Sequence, residues 1–210
     1  MIRVARFIFG LLFCLSAFVQ AEPYTDLQND WAKANYELDG DQQKEYFEKL
    51  LTNTEQAKKM YPSDAGVYIW SGIINSTYAG VAGGLGALKY AKQARSDLER
   101  ALEIDPDALQ GSAYTSLGTL YYKVPGWPIG FGNDKKGEEL LLKALTQNPD
   151  GIDPNYFYAD FLYSKGRYQD ALMHAEKAEQ ASPRLDRPLA DMGRRQELTL
   201  LKEKIAAKIK

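Results

Sequence analysis

Tyr114-Thr-Ser-Leu117-Gly118-Thr-Leu-Tyr121, followed after a loop by Gly137-x3-Leu141-x2-Ala144-x4-Pro149, decides how this chain folds. The first segment places large, small and large residues on one helical face, so that a helix can bury a stripe and let its neighbour approach at the glycine. The second is another helical stripe, ended by a proline that cannot continue the helix. Together they spell one helix–turn–helix unit with a loop set into its turn.

The closing phrase recurs along the chain. Leu50-x3-Thr54-x2-Ala57-x4-Pro62, Ala94-x3-Leu98-x2-Ala101-x4-Pro106 and Ala171-x3-Ala175-x2-Ala178-x4-Pro183 share its internal spacing. The four prolines stand 44, 43 and 34 residues apart. The pattern resembles the tetratricopeptide repeat, whose unit is about 34 residues long. This resemblance implies an all-α, helical-hairpin solenoid of about four repeats, near residues 26–62, 64–106, 108–149 and 153–183. The two longer intervals hold nine or ten additional residues, which the sequence places between the two helices of a repeat: Gly80 to Gly86 in the second unit, and 124–133 (Val-Pro-Gly-Trp-Pro-Ile-Gly-Phe-Gly-Asn) in the third. Equivalent turns of stacked repeats share one edge of a solenoid, so the two insertions are expected to be neighbours.

Outside the repeats the chain has two further parts. Arg3 and Arg6 precede an apolar run from Phe7 to Val19, and Val19-Gln20-Ala21 offers small residues for signal peptidase. Residues 1–21 therefore read as a cleaved signal peptide, with an uncleaved anchor as the alternative, and the protein as periplasmic and without a membrane span after cleavage. Phe13 stands where a lipidation signal before Cys14 needs a small residue. Cleavage would remove the only cysteine, leaving no disulfide or thiol chemistry, and would take the formal charge from −2 to about −4, which does not favour nucleic acid. Residues 187–210 begin at Arg187-Pro188 and carry Leu189, Met192, Leu198, Leu201, Ile205 and Ile209 on a broad apolar face rich in Lys and Arg nearby. They read as a capping helix for the last repeat, with a basic membrane-surface helix as the alternative.

No motif for catalysis, cofactor or metal stands out. Gly84-Leu85-Gly86-x2-Lys89 lacks the strand and the glycine spacing of a phosphate loop. His174 is the only histidine, without a second ligand at metal spacing. Asp105, Asp107, Asp150, Asp153 and Asp160 cluster at repeat junctions, where carboxylates cap helices. These features point to a non-enzymatic protein that acts by binding.

Two kinds of binding residue are expected. Trp127, Ile129 and Phe131 sit among prolines and glycines in the third insertion, where they either pack on the solenoid or rim a binding mouth. Tyr121, Tyr122, Tyr156 and Tyr158, with Phe157, Phe161 and Tyr163, crowd the first helices of the third and fourth units, which the repeat resemblance places on the concave face. With Trp70 and Tyr78 some of them would line an amphipathic groove. The occupant would be a partner protein or peptide in the cell envelope, or a small apolar ligand in a pore roofed by the inserted loops. The leader, short array and enlarged hairpin loops are similar in organisation to the periplasmic T-component of TRAP transporters, a family described as a helical bundle with a central pore suited to apolar ligands.

Overall fold

The computed structural model describes residues 22–209, so the leader lies outside the described residues. Among these, nine α-helices follow one another: α1 (Thr25–Tyr36), α2 (Gly40–Met60), α3 (Ala65–Ala82), α4 (Ala87–Ile104), α5 (Ser112–Lys123), α6 (Asp134–Gln147), α7 (Ile152–Ser164), α8 (Tyr168–Glu179) and α9 (Pro188–Ala206). The first eight form four hairpins, each packed on the next, as the repeated phrase requires.

That phrase marks the seam of each hairpin. Every one of its positions before the proline is buried: Leu50, Thr54 and Ala57 on α2, Ala94, Leu98 and Ala101 on α4, Gly137, Leu141 and Ala144 on α6, Ala171, Ala175 and Ala178 on α8. Small residues at these positions let the backbones close. At Gly118 a Cβ would stand 2.9 Å from Leu141 Cγ and 3.0 Å from the Gly137 carbonyl, so α5 and α6 touch through paired glycines. Starts are set by side chains where the turn offers one: Asp64 accepts from Val67 N–H at 2.9 Å, and Asn133 from Lys136 N–H at 3.0 Å.

The two insertions differ. Residues 124–133 form the expected loop between α5 and α6, held by backbone hydrogen bonds from Gly132 to Pro125 and from Asn133 to Tyr121. In the second unit Gly80, Val81 and Ala82 continue α3 instead of leaving it. The break falls at Gly83 and Gly84, both with positive φ, and one 3-10 turn over Gly84–Gly86 leads into α4. The additional residues there lengthen the helices: α3 and α4 have 18 residues each, against 12 and 14 in α5 and α6. Helix-compatible residues next to the first glycine account for this, because a single glycine costs an apolar, well-packed helix only about 1 kcal/mol.

α9 caps the last repeat and also reaches the first. Leu198, Leu201 and Ile205 join the apolar cluster of α7 and α8, while Ala190 joins that of α1, α2 and α3. Met192 is exposed rather than on this face. In consequence α1, α3, α5, α7 and α9 each pack against the next, and α9 packs against α1. The solenoid is curved tightly enough that its cap closes it into a ring of five inner helices, with α2, α4, α6 and α8 outside. No described helix is long and apolar enough to cross a membrane.

Candidate functional site

The ring encloses a cavity of about 500 Å³ to which all five inner helices contribute. A second cavity of about 780 Å³ opens beside the N-terminal ends of α1, α5 and α7, and the two share Ser112, Thr115, Asp153, Arg184 and Arg187 in their walls. The second, the mouth, adjoins the first at these residues. Its rim carries backbone strain: Leu109 and Gln110, directly before Gly111, both adopt positive φ, 49° and 54°. L-residues hold that conformation only when the surrounding structure imposes it.

One wall is hydroxylic. Ser112, Thr115, Ser116 and Thr119 on α5 follow helical spacing along the cavity, and Ser76 and Thr77 on α3 adjoin them. Thr119 donates to the Thr115 carbonyl and Thr77 to the Ile73 carbonyl, so these hydroxyls are satisfied by their own helices. Thr77 also accepts from Trp31 Nε1 at 2.9 Å.

The opposite wall is aromatic and ionic. Arg194 on α9 is buried and its guanidinium lies 4.6 Å and 4.4 Å from the ring centres of Tyr156 and Phe157 on α7. It donates to Asp153 Oδ1 at 2.8 Å and pairs with Glu197. Arg184 donates to Asp153 Oδ2 at 2.6 Å and to Asp191 Oδ1 at 3.1 Å, and Asp191 is held from its other oxygen by Arg195 at 2.7 Å. Burial alone would neutralise Asp153, but the Arg194 and Arg184 charges outweigh it and hold the carboxyl below its ordinary pKa. Burial likewise works against Arg194, and Asp153 above all restores its charge. For the Tyr36 phenol on α1, burial dominates and pushes the pKa up to about 12.

Of the sequence-selected aromatics, Trp70, Tyr156 and Phe157 line the central cavity. Trp70 is 3% exposed and packs on Trp31 at 5.7 Å, so it serves mainly as wall. Tyr78 is buried away from the cavity, with its hydroxyl on Glu48 and its ring against Tyr90 of α4. Tyr121 is buried against Phe131 and receives Lys136 Nζ at 2.6 Å. Tyr122 donates to Asp160 at 2.6 Å, and Tyr158 donates to Glu138 while its ring meets Phe161 and His174. These aromatics fill seams between helices, where their hydroxyls find partners at the edges.

The third insertion is divided. Phe131 folds back under the Arg95 guanidinium of α4, at 4.5 Å, whereas Trp127 and Ile129 stand 90% and 70% exposed. Neither Gly83, Gly84 and Gly86 nor any of residues 124–133 lines the central cavity, so the described parts of the inserted loops do not roof it. The junction carboxylates act in turns and ion pairs more than as caps: Asp105 accepts from Asp107 N–H, Asp160 pairs with Lys123, and Asp150 with Lys177. Among the described residues no group of three His, Cys, Asp or Glu side chains could hold a metal ion.

Sequence reasoning missed Tyr36, Asn35, the hydroxyl stripe and the arginines of the 184–194 segment. The stripe had a signal, since Ser112, Thr115, Ser116 and Thr119 are spaced by three, one and three residues on an otherwise apolar helix.

No family model matches the chain, and no curated protein matches it. Among solved structures it is similar to a thermophilic TPR protein of Thermus thermophilus, with 19% identity, 85% of this chain and 96% of that chain covered, and a TM-score of 0.56. At that identity the likeness is one of fold, and with the four phrase-marked hairpins it makes this chain a tetratricopeptide-like helical solenoid.

Proposed function

We propose that this protein acts by binding, and that its ligand is a small molecule with an apolar part held in the central cavity. One observation carries the reading: the inner helices that an open array would leave facing a peptide here close on themselves around about 500 Å³. A helical peptide about 10 Å across fills more than that volume in two turns, whereas small-molecule sites occupy this size range. The mouth cavity supplies an entry path. In this reading the protein is an exported carrier or transporter accessory, as its resemblance to the T-component of TRAP transporters implies, and residues 1–21 act as its leader.

A second reading, an adaptor for a protein partner in the envelope, is favoured by Trp127 and Ile129. Large apolar side chains that are fully presented on a hydrogen-bonded loop are typical anchors for a partner's pocket. The adaptor surface would then be this outer loop rather than the concave aromatic face.

The first test is mass spectrometry of an organic extract of the purified protein, alongside the intact protein under native conditions. A stoichiometric small molecule supports the carrier. An empty protein that crosslinks through position 127 to an envelope protein would replace it with the adaptor.

A further inference from the structure

The charges around the central cavity do not balance. Lys123, Arg184, Arg187, Arg194 and Lys204 stand in its wall against Asp153, Asp160 and Glu197. Arg184 and Arg194 share Asp153, Arg194 also holds Glu197, and Lys123 takes Asp160. Asp191, behind Arg184, is matched by Arg195. Within this wall that leaves Arg187, whose carboxylate partner stands outside it, and Lys204, which is exposed.

Arg187 is the better placed of the two, since it belongs to both cavities and sits at their junction. Its side chain is only 26% exposed. Its one ion pair among the described residues is with Asp186 in the wall of the mouth, at 3.7 Å, and that carboxylate is 77% exposed. Burial, and after it the neighbouring Arg184 charge, weigh against the cationic form of Arg187. A guanidinium so placed gains most from an anion arriving through the mouth.

A half-buried cation whose one carboxylate partner is distant and solvated calls for a ligand that brings negative charge. Elsewhere in the cavity wall Trp31, Ile73, Tyr156 and Phe157 offer apolar surface.

Resting on the reading of the cavity as a ligand site, we infer that its ligand is a small anionic amphiphile, with one anionic head group at Arg187 and an apolar body along the aromatic wall. A neutral apolar ligand would leave the cations unmatched, and a cationic one would add to them.

The test is calorimetric titration of the purified protein with octanoate and, separately, with octan-1-ol. Octanoate should bind at least tenfold more tightly than octan-1-ol, and its affinity should fall as salt is raised. Arg187→Gln should weaken octanoate about tenfold and leave octan-1-ol unchanged. Equal affinities in the wild type, or an unchanged octanoate affinity in Arg187→Gln, would overturn the anionic assignment while leaving the cavity a ligand site. Failure of both probes to bind would overturn the cavity reading itself. If Arg187→Gln does not fold, the wild-type ratio of the two affinities decides alone.

Discussion

The ring of Tyr36 lies directly on Gly193: a Cβ at that glycine would stand 2.4 Å from two of the ring carbons. This contact joins the first inner helix to the last and closes the array.

Replacing Gly193 by alanine therefore forces either the Tyr36 ring, which meets Trp31 edge-on at 5.6 Å, or α1 and α9 themselves to shift. The expected cost is about 1–3 kcal/mol of stability, as for other overpacked contacts. Urea unfolding measures it, and small-angle scattering should show a larger radius of gyration if the seam opens. Wild-type stability in Gly193→Ala would mean that the seam is loose.

Asp153 holds Arg184 and Arg194 together, so Asp153→Asn leaves two guanidinium groups short of a carboxylate. A loss of roughly 3 kcal/mol is expected, the low end for breaking a buried pair, since Asp153 is partly open to the mouth. The sign of the pH effect follows from its lowered pKa. The contribution is complete above the ordinary carboxylate pKa and is lost as pH falls through the lower folded value. Wild-type stability should therefore fall as pH drops below about 4, and Asp153→Asn, which lacks the titrating group, should flatten that acid limb.

Trp127→Ala and Phe131→Ala separate what looked alike in the sequence. The exposed tryptophan should change stability by less than about 0.5 kcal/mol. The phenylalanine, packed on Tyr121 at 5.5 Å and under Arg95, should cost about 1–3 kcal/mol. Thermal melts of the two variants test this, and equal losses would contradict the division of the loop.

His174 offers a second pH readout. Asn155 donates its amide to the Pro149 and Gly151 carbonyls, which turns its oxygen to His174 Nδ1 at 3.0 Å and makes that nitrogen the donor. Burial, then the Lys177 charge, lowers its pKa. The folded state therefore favours neutral imidazole, and stability should fall as pH drops through about 6.5 toward the lower folded value. Urea midpoints at pH 7.5 and 5.5 should differ more in wild type than in His174→Gln.

What could be read from sequence was the contact made within each repeat. Leu141 and Ala144, or Leu98 and Ala101, report a local spacing that geometry converts into a hairpin seam whatever surrounds it. Closure was not legible, because it depends on the small rotation added at every hairpin, and no pair of residues in the sequence announces that Tyr36 meets Gly193. The division of aromatics also escaped: Tyr121 and Tyr156 occupy inner helices of similar composition, and only the direction of the ring axis decides which faces the cavity. Gly80 and Gly83 are indistinguishable by type, yet one sits inside α3 and the other ends it.

Closure also fixes how the array can evolve. An open repeat protein grows or shrinks by copying or deleting one unit, since each unit touches only its neighbours. Here a duplicated hairpin would carry α9 past α1, and a deleted one would leave it short, so that Ala190 would lose the cluster formed by α1, α2 and α3 in either case. Repeat number in this protein is set by the circumference of its ring.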